Sequence, residues 1–589
     1  KEEIYNNATT RVLGDVYAEW EFLKDLKLKV SLGMDIMYLK QNKYTPSNIY
    51  QSLGIASAKV GVNRSINWLN ENILTWNKTF KDIHSLNILG GFTIQRNNVE
   101  SVTGASSNFV NDVMKYNNLG AGSIYDKPES SATQWSLMSY LARINYSLYD
   151  RYLFSVNGRV DGSSRFGGNN KYGFFPSGSV AWRISEEGFM EPVKAVINNL
   201  KLRTSYGFTG NTEIGVYESL ATLESNSWTI GNQLVSGFYP NRIPNPDLKW
   251  EKTGQFDIGF DLGLFNNRLR LTADYYYKKT TDLLYNVAIP SASGYDSMLK
   301  NIGSVQNKGY ELSIESDNLS GAFSWTTAFN ISFNRNKVLE LGGETYKDVG
   351  TYDDHLKTSD IRRLIVGQPI GVFYGYRFDG IFQNEAECAQ QTSSPSPIGV
   401  GLRRYKDLNG DGKIDATNDR EILGDANPKF FGGMTNTFAY RGFELNVFLQ
   451  YSYGNKIFNY NAMELESPTG GQNVYQDLVN RWTPTNPSNE YQKATTNRNN
   501  IVSDRFIEDG SFLKLKTVSL SYSFPKLNWK HIGGLRLYVT GQNLLTWTKY
   551  RGYDPEVSYR GASTLEAGED FGGYPQARTF MFGIKLDIK

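Results

Sequence analysis

The segment 256–278 alternates between apolar and charged residues along two arms, joined by a short turn at Asn266 and Asn267. The apolar positions are Phe256, Ile258, Phe260 and Leu262 in the first arm and Leu269, Leu271, Ala273, Tyr275 and Tyr277 in the second. A period of two residues indicates β-strands with one apolar and one polar face. A soluble sandwich can produce this alternation, whereas a membrane barrel requires it, because lipid covers one face of each strand and water the other.

Composition restricts the other possibilities. The chain has 589 residues, too many for one ordinary soluble core, and 38 tyrosines and 32 phenylalanines favour strands over helices. No apolar run approaches the roughly 18 residues that a membrane-spanning helix needs. The net charge of +2 gives no reason to expect a nucleic-acid partner. Cys388 is the single cysteine, which excludes a disulfide framework and a cysteine-based metal site.

The connections between the predicted strands alternate between short and long. Alternation predicts about 17 strands. The short connections are turns at 24–26, 81–84, 149–151, 266–267, 317–321 and 441–442, and the long ones include 101–134, 210–249, 337–428 and 457–510. Outer-membrane barrels have short periplasmic turns and long outer loops, whereas a soluble sandwich has no reason to sort its connections by length. The sequence therefore predicts an all-β fold, a transmembrane antiparallel β-barrel with long extracellular loops.

Three local departures from this pattern are expected. The segments 186–199 and 474–482 are each predicted to hold a short helix. The strand 512–524 changes phase between Leu515 and Val518, which predicts a β-bulge.

The number of predicted strands is odd, although single-chain bacterial barrels have an even number. The first predicted connection is also short, and no signal peptide is visible at Lys1. We therefore expect further strands and a signal peptide to precede this chain in a longer precursor.

The one sharp ligand motif lies in the long connection 337–428. Asp407, Asn409 and Asp411 stand at positions one, three and five of a calcium loop, with Gly412 at position six. The predicted calcium ligands are Asp407, Asn409, Asp411, the Lys413 carbonyl, Asp415 and Asp419. The usual glutamate at position twelve is replaced by Asn418, so Asp419 would have to swing in. Calcium is favoured over magnesium because the ligands are many and flexible.

An Asx-rich turn without an ion is the alternative for this segment. If calcium binds, we expect it to be structural and to order the connection 337–428, which offers little apolar content of its own to fold around.

The sequence offers no support for an enzymatic function. Asp257 with Asp261, and Glu464 with Glu466, are spaced like paired carboxylates, but such acids on a barrel wall or in a loop are usually solvated. We therefore predict no catalytic residues.

Several segments resemble one family over nearly the whole chain. They are 302–312, 366–382, 407–424, 480–483, 509–515 and 542–557. In this order they resemble the SusC-like, RagA-type branch of TonB-dependent outer-membrane transporters, of which the chain would be the C-terminal barrel portion.

The resemblance implies a barrel of about 22 strands filled by an N-terminal plug. It also implies a TonB box that binds TonB–ExbB–ExbD, a SusD-like surface lipoprotein as a lid, and a cargo of oligosaccharides or oligopeptides. Plug, TonB box and first strands are absent from this chain, which would account for the odd number. A passive pore, a surface adhesin and a secreted calcium-stabilised glycan hydrolase remain as alternatives.

The barrel interpretation also predicts which side chains meet lipid. The expected lipid-facing residues are Phe256, Ile258, Phe260, Leu269, Leu271, Phe323, Trp325, Phe329, Phe443, Leu445, Phe580 and Phe582. The expected inward-facing residues are Asp257, Asp261, Arg268, Arg270, Glu444 and Asp587. An arginine facing lipid at the midplane would cost about 2–4 kcal/mol, so the phase should be strict.

Overall fold

Antiparallel strands make up most of the chain in the computed structural model. The structure describes residues 3–49, 52–295, 297–350, 358, 361–467, 473–495, 500–524, 532–561 and 563–588. Among these residues, no helix combines the length and apolar character needed to cross a lipid bilayer.

The strands, in chain order, are β1 (Ile4–Leu23), β2 (Leu26–Thr45), β3 (Ser57–Phe80), β4 (His84–Phe109), β5 (Gly122–Tyr125), β6 (Glu129–Leu148), β7 (Tyr152–Ser163), β8 (Tyr172–Arg183), β9 (Ile197–Asn211), β10 (Thr222–Ile230), β11 (Gln233–Arg242), β12 (Glu251–Leu264), β13 (Leu269–Thr281), β14 (Leu284–Ala288), β15 (Ser297–Asn301) and β16 (Ser304–Leu319). They continue with β17 (Phe323–Glu340), β18 (Tyr346–Val349), β19 (Arg362–Ile365), β20 (Val372–Tyr376), β21 (Phe378–Ile381), β22 (Arg403–Tyr405), β23 (Arg420–Asp425), β24 (Phe430–Tyr440), β25 (Phe443–Tyr453), β26 (Lys456–Asn459), β27 (Ile507–Asp509), β28 (Phe512–Ser523), β29 (Ile532–Thr548), β30 (Glu569–Asp570) and β31 (Thr579–Ile588).

Helices are few and short. Two α-helices are described, α1 (Glu385–Cys388) and α2 (Tyr460–Leu465). The 3-10 helices are Lys115–Asn117, Leu119–Ala121, Ile184–Glu186, Gly188–Val193, Ser291–Ser293, Gln476–Asn480 and Asp504–Phe506. The helices predicted within 186–199 and 474–482 are thus 3-10 turns.

Within the described residues, one antiparallel sheet contains 18 strands, and the other strands form small sheets of two to four strands. Seventeen of the 18 are long strands that match the predicted ones, and the additional one is the short β5. The chain divides into two compact units. Unit 1 comprises Lys1–Trp182, Thr204–Gln255 and Thr280–Ile302, and unit 2 comprises Arg183–Arg203, Phe256–Lys279 and Gly303–Lys589.

In unit 1 the strands pair in the order β1–β2–β3–β4–β6–β7–β8. Side chains directly opposite each other lie on the same face of an antiparallel sheet, so the register extends each face across the unit. One face is apolar and carries Trp20, Leu28, Met34, Trp68, Ile94, Met138, Tyr140, Val160 and Phe174. The other face carries Lys29, Asp35, Glu71, Arg143, Arg159 and Asp161.

In unit 2 the pairing order β16–β17–β24–β25–β28–β29–β31 gives the same separation of faces. The register places the predicted lipid-facing residues of these strands on one face, namely Phe323, Trp325, Phe329, Phe443, Leu445, Phe580 and Phe582. Glu444 lies on the opposite face, where it forms an ion pair with Arg536 at 2.6 Å. Asp587 lies on that polar face too.

The hairpin 256–278 follows the predicted alternation. Phe256, Ile258 and Phe260 are 37%, 39% and 36% exposed. The alternating acids contact one cation, because Arg203 lies 3.7 Å from Asp257 and 3.4 Å from Asp261. Arg270 likewise forms an ion pair with Glu315 at 2.9 Å, whereas Arg268 donates to the backbone carbonyl of Asp317.

The predicted phase change in β28 is a bulge at Lys516. Leu449 pairs with Leu515 and Phe448 with Thr517, which leaves Lys516 without a partner in β25. The extra residue keeps Leu515 and Val518 on the same apolar face, although an odd number of steps separates them.

The short turns are tight hairpins. Lys81, Asp82, Tyr149 and Asp150 all have positive φ angles between 53° and 56°, the left-handed backbone that two-residue hairpin turns require. Successive turns also contact one another, since the Tyr149 amide donates to the Ile83 carbonyl at 2.8 Å. The short connections of unit 1 therefore share one edge of the sheet.

The strands next to the long connections are longer than predicted. The connection expected at 101–134 is reduced to 110–128, because β4 continues to Phe109 and β6 begins at Glu129. The connection 210–249 contains the β10–β11 hairpin. Where a strand leaves the bilayer, both faces meet water, so the period-two pattern that marks it in the sequence fades.

Candidate functional site

The long connections of unit 2 fold together around a hydrophobic cluster. We call it the loop core; it consists of Ile361, Phe373, Phe458, Tyr460, Ala462, Met463, Val502 and Phe506. Phe373, Phe458 and Phe506 are fully buried. Burying each large apolar side chain stabilises the folded state by about 1.5–3 kcal/mol.

The expectation that 337–428 has little apolar content to fold around is therefore wrong. The loop core combines residues from that connection with residues from the next one, 457–510. Because each connection supplies only some of the apolar side chains, neither looks like a core on its own in the sequence. The segments 351–357, 359–360, 468–472 and 496–499 of these predicted loops lie outside the described residues.

A buried ion pair joins the connection 337–428 to the last connection, which lies between β29 and β31. Arg362 Nε lies 3.1 Å from Glu569 Oε1, and both side chains are almost completely buried. Arg362 also donates to the backbone carbonyls of Gly371 and Ala567. Burial raises the pKa of Glu569, and the guanidinium groups of Arg362 and Arg560 oppose this shift.

Glu466 is a second buried anion, at 1% exposure. It accepts hydrogen bonds from Arg505 Nε at 2.7 Å and from Arg551 Nη1 at 3.3 Å. Arg551 in turn contacts Glu508 at 2.8 Å. The expectation that the pair Glu464 and Glu466 is solvated is wrong for Glu466, whose partners come from distant segments. The arrangement is a structural ion-pair network.

The aspartate loop, 407–419, is held by hydrogen bonds from its own backbone. Asp407 accepts from the amides of Gly410 and Gly412, both at 2.7 Å. Asp419 is fully buried and accepts from the amides of Leu408 and Asp415, both at 2.8 Å. The Asx-turn alternative describes these contacts well.

The other predicted ligands of this loop also accept backbone hydrogen bonds. Asp411 Oδ1 accepts from Lys413 N at 2.8 Å, and Asp415 Oδ1 accepts from Thr417 N at 2.7 Å. Hydrogen bonds from the amides of Asn418 and Thr417 lower the pKa of Asp415. In the part of the chain that the structure describes, no three His, Cys, Asp or Glu side chains converge to hold one metal ion. Calcium binding by Asp407, Asn409, Asp411, Lys413, Asp415 and Asp419 stays a prediction.

A cavity of about 560 Å³ lies beside the aspartate loop. It is lined by Thr345, Tyr346, Asp348, Arg363, Ile365, Tyr374, Ala416, Thr417 and Arg420. The Arg363 guanidinium lies 3.9 Å from the ring centres of both Tyr346 and Tyr374, and Arg420 lies 5.1 Å from the ring of Tyr374. Two hydrogen bonds from Arg363 to Asp348, at 2.6 and 2.9 Å, fix the position of the Arg363 guanidinium.

We call the four side chains Tyr346, Arg363, Tyr374 and Arg420 the tyrosine–arginine stack. Tyr346 is its outermost ring and is half exposed. Sequence reasoning missed the stack because its members come from β18, β19, β20 and β23, which meet only in the folded sheet. Exposed aromatic rings beside fixed charged groups are typical of small-molecule sites.

Comparison with known proteins agrees with this fold. The family model described as TonB dependent receptor-like, beta-barrel matches residues 4–381. The chain is 39% identical over 580 residues to "TonB-dependent receptor P3" of Formosa agariphila, a match that covers 97% of this chain and 57% of that protein. It is 30% identical over 597 residues to "TonB-dependent receptor SusC" of Bacteroides thetaiotaomicron, covering 98% of this chain and 55% of SusC.

A solved structure is similar as well. "Structure of the RagAB peptide transporter" superposes with a TM-score of 0.86 at 26% identity, covering 99% of this chain and 62% of that one. The chain thus spans less than two thirds of the length of the relatives it matches. Their names are those of receptors and transporters. The matched family model and the two-faced antiparallel sheet show that the chain belongs to the TonB-dependent receptor β-barrel family of the bacterial outer membrane.

Proposed function

We propose that this chain is the barrel portion of a SusC-like importer that takes up oligosaccharides across the outer membrane with energy supplied through TonB. The observation that carries this proposal is the cavity beside the tyrosine–arginine stack, in the region that the long connections of unit 2 form around the loop core. A binding region of this kind suits capture of a specific cargo. The relatives named as TonB-dependent receptors support the same interpretation.

The tyrosine–arginine stack favours a sugar as cargo. The exposed ring of Tyr346 offers an apolar platform for the C–H face of a pyranose, and Arg363 and Asp348 offer a donor and an acceptor for hydroxyl groups. An oligopeptide is the second candidate, because the similar RagAB structure is that of a peptide transporter.

Binding of defined cargo to the full-length protein tests this assignment. We expect short neutral oligosaccharides to bind more tightly than peptides of similar mass in isothermal titration calorimetry. Tyr346→Ala should weaken sugar binding about tenfold, the loss of one stacking contact, whereas Tyr346→Phe should bind normally because it keeps the ring. Preferential peptide binding, with no effect of Tyr346→Ala, would favour the second candidate.

Energy coupling separates an importer from a passive pore. Cells that carry the full-length protein should take up the bound oligosaccharide only when TonB is intact. Equal uptake in cells without TonB would contradict the importer. Binding at the cell surface without any uptake would indicate an adhesin, and release of shortened sugar by the purified protein would indicate a hydrolase.

A SusD-like lipoprotein is the partner we infer, seated on the long connections. The support is indirect: one similar protein is named SusC, and the similar solved structure is that of the RagAB peptide transporter. Affinity purification of the full-length protein from native membranes in mild detergent should recover such a lipoprotein at equal stoichiometry. Recovery of the barrel alone, under conditions that preserve its binding of cargo, would contradict this partner.

A further inference from the structure

A polar cavity of about 410 Å³ lies on the apolar face of unit 1, at the end that leads to the long connections. Arg64 and Arg96 stand two residues beyond Ile66 and Ile94 toward the long connections, and the exposed pair Val62 and Val102 lies further out on the same face. The two arginines line the cavity together with Ile66, Asn98, Val99, Glu100, Ala132, Thr133, Gln134 and Tyr217.

The neighbours of these arginines place the cavity at the membrane boundary. Tyr38 lies directly opposite Arg64, and Trp68 lies directly opposite Arg96. Aromatic residues at the ends of the apolar band mark the two interfaces of an outer-membrane barrel, and the long loops lie on the outer side. The cavity therefore opens sideways, at the height of the lipid headgroups of the outer leaflet.

The groups in the cavity suit an anion. Arg96 Nη2 donates to Gln134 Oε1 at 2.6 Å, which orients the guanidinium and leaves its other N–H groups to donate. Tyr217 Oη accepts from the Gln134 amide at 3.0 Å, so the phenol can donate its own proton.

The charges near the cavity are mainly positive. Glu100 is the acid that lines the cavity, and its carboxylate lies 3.7 Å from Arg64 with both side chains exposed. The register also places Lys40 on this face, two residues beyond Tyr38. Three cations therefore face one anion.

We propose that this cavity binds the phosphate-bearing headgroup of a glycolipid in the outer leaflet. Guanidinium groups match the geometry of phosphate oxygens, and basic side chains at a membrane surface attract anionic lipids. A lipid is favoured over soluble cargo because the cavity continues the lipid-facing band, whereas cargo would travel along the polar face. Bound glycolipid would hold the ends of β3, β4 and β6 that lead to the long connections in the outer leaflet.

Lipid retention by the purified full-length protein tests this inference. The delipidated protein would be incubated with lipid A in detergent, and the bound lipid counted by native mass spectrometry. Arg64→Gln with Arg96→Gln should lower the affinity about thirtyfold, since each basic group near an anionic lipid surface contributes a factor of about five. Arg64→Lys with Arg96→Lys should keep much of the binding.

The matched control changes two cations on the opposite face. Lys43 and Lys59 pair directly with each other in β2 and β3, at the same end of the sheet. Lys43→Gln with Lys59→Gln removes the same charge and should bind lipid A normally. Heat-modifiable migration in electrophoresis would confirm that every variant is folded.

Three results would overturn the inference. One is equal retention by the parent and the Arg64→Gln, Arg96→Gln variant. Another is equal binding of lipid A whose phosphate has been removed. The third is complete displacement of lipid A by inorganic phosphate at the same concentration as the lipid, which would assign the cavity to a soluble anion.

Discussion

Single buried charges connect chain segments that are far apart in the sequence. Arg362 and Glu569 are separated by 207 positions, and their ion pair is shielded from water. Removing one partner of such a pair leaves the other charge buried, which costs about 3–5 kcal/mol, whereas replacing both can be nearly neutral. The partner, rather than the charge alone, is what the protein needs.

Arg362→Met should therefore destabilise the loop core by about 3–5 kcal/mol. Hydrogen exchange of the segments around Phe373 and Phe458 would report the change as faster opening. The double variant Arg362→Met with Glu569→Gln should recover a large part of the loss. A single variant that exchanges like the parent would show that Arg560, 3.4 Å from Glu569, is a sufficient partner.

The Lys514 cluster consists of Lys514, Lys516, Asp554 and Glu556. It gives the connection between β29 and β31 a pH dependence. Lys514 Nζ donates to Asp554 and to Glu556, both at 2.6 Å. Burial alone would raise the pKa of Glu556, but hydrogen bonds from Lys514 and Lys516 outweigh it and lower the pKa. The stabilisation is therefore complete above the unfolded pKa of about 4.3 and is lost as the pH falls through the lower folded value.

Below about pH 4.3 the segment 549–557 should progressively lose protection from hydrogen exchange relative to its protection at about pH 6, after correction for intrinsic rates. Glu556→Gln is the matched control, because it keeps the shape but does not titrate. If the variant loses as much protection as the parent, Glu556 is not the titrating group.

The residues of the site differ in how far the sequence reveals them. The aspartate loop is local, so its hydrogen-bonded turns follow from the spacing of Asp and Asn residues, and its calcium binding stays a prediction. The tyrosine–arginine stack and the Glu466 network use partners from separate connections, and no period or spacing in one segment records which segments will meet. Glu466 in particular looks like an ordinary loop acid until Arg505 and Arg551 are brought to it.

Among the elements, β28 shows how one residue sets the phase of a strand. Its bulge at Lys516 keeps apolar side chains on one face at both ends of the strand. Deleting Lys516 would restore regular pairing with β25 and keep the apolar side chains on one face, whereas deleting Asn446, from the regularly paired part of β25, would turn half of that strand over and place polar side chains against lipid.

The Lys516 deletion should therefore still fold into membranes, whereas the Asn446 deletion should fold poorly. Heat-modifiable migration in electrophoresis would show folded protein in vesicles for the first variant and little for the second. Deleting Val110, which is 95% exposed in a long connection, is the control and should leave folding intact. Normal folding of the Asn446 deletion would mean that the sheet tolerates a change of register there, and failure of the Lys516 deletion would mean that the bulge itself is needed.

The aspartate loop is the element to which the calcium prediction belongs. Asp407→Ala with Asp411→Ala removes two predicted ligands and three backbone hydrogen bonds. We expect faster hydrogen exchange of 407–419 in this variant. We also expect calcium to slow exchange in the parent, because clustered carboxylates repel each other less around a cation.

Glu344→Ala, which alters an acid outside the aspartate loop, is the control for nonspecific calcium effects. If calcium leaves the exchange of the parent unchanged, the loop is an Asx-turn structure that needs no ion. The hydrogen-bond effect of the double variant would remain in either case, so the two contributions can be separated.

For the molecule as a whole, strand number and facing are readable from the sequence because lipid forces a period of two. The ends of strands are not, since β4 continues to Phe109 where both of its faces meet water. The packing of the long connections is also hidden, because the loop core collects its apolar residues from separate segments. The membrane therefore determines which part of this fold can be predicted.

The direction of the sheet in the membrane gives the last prediction. In unit 1 the short turns share one edge, and outer-membrane barrels place such turns in the periplasm. A cysteine introduced at Val110, in a long connection, should react with a membrane-impermeant maleimide on intact cells. One introduced at Asp82, in a short turn, should react only after the cells are broken. Both belong in a Cys388→Ser background, which removes the one thiol of this chain, and broken cells provide the control for reactivity. Labelling of Asp82→Cys on intact cells, with Val110→Cys protected, would reverse the assignment of the long connections to the cell exterior. The outer-leaflet position of the Arg64 and Arg96 cavity would then be wrong as well.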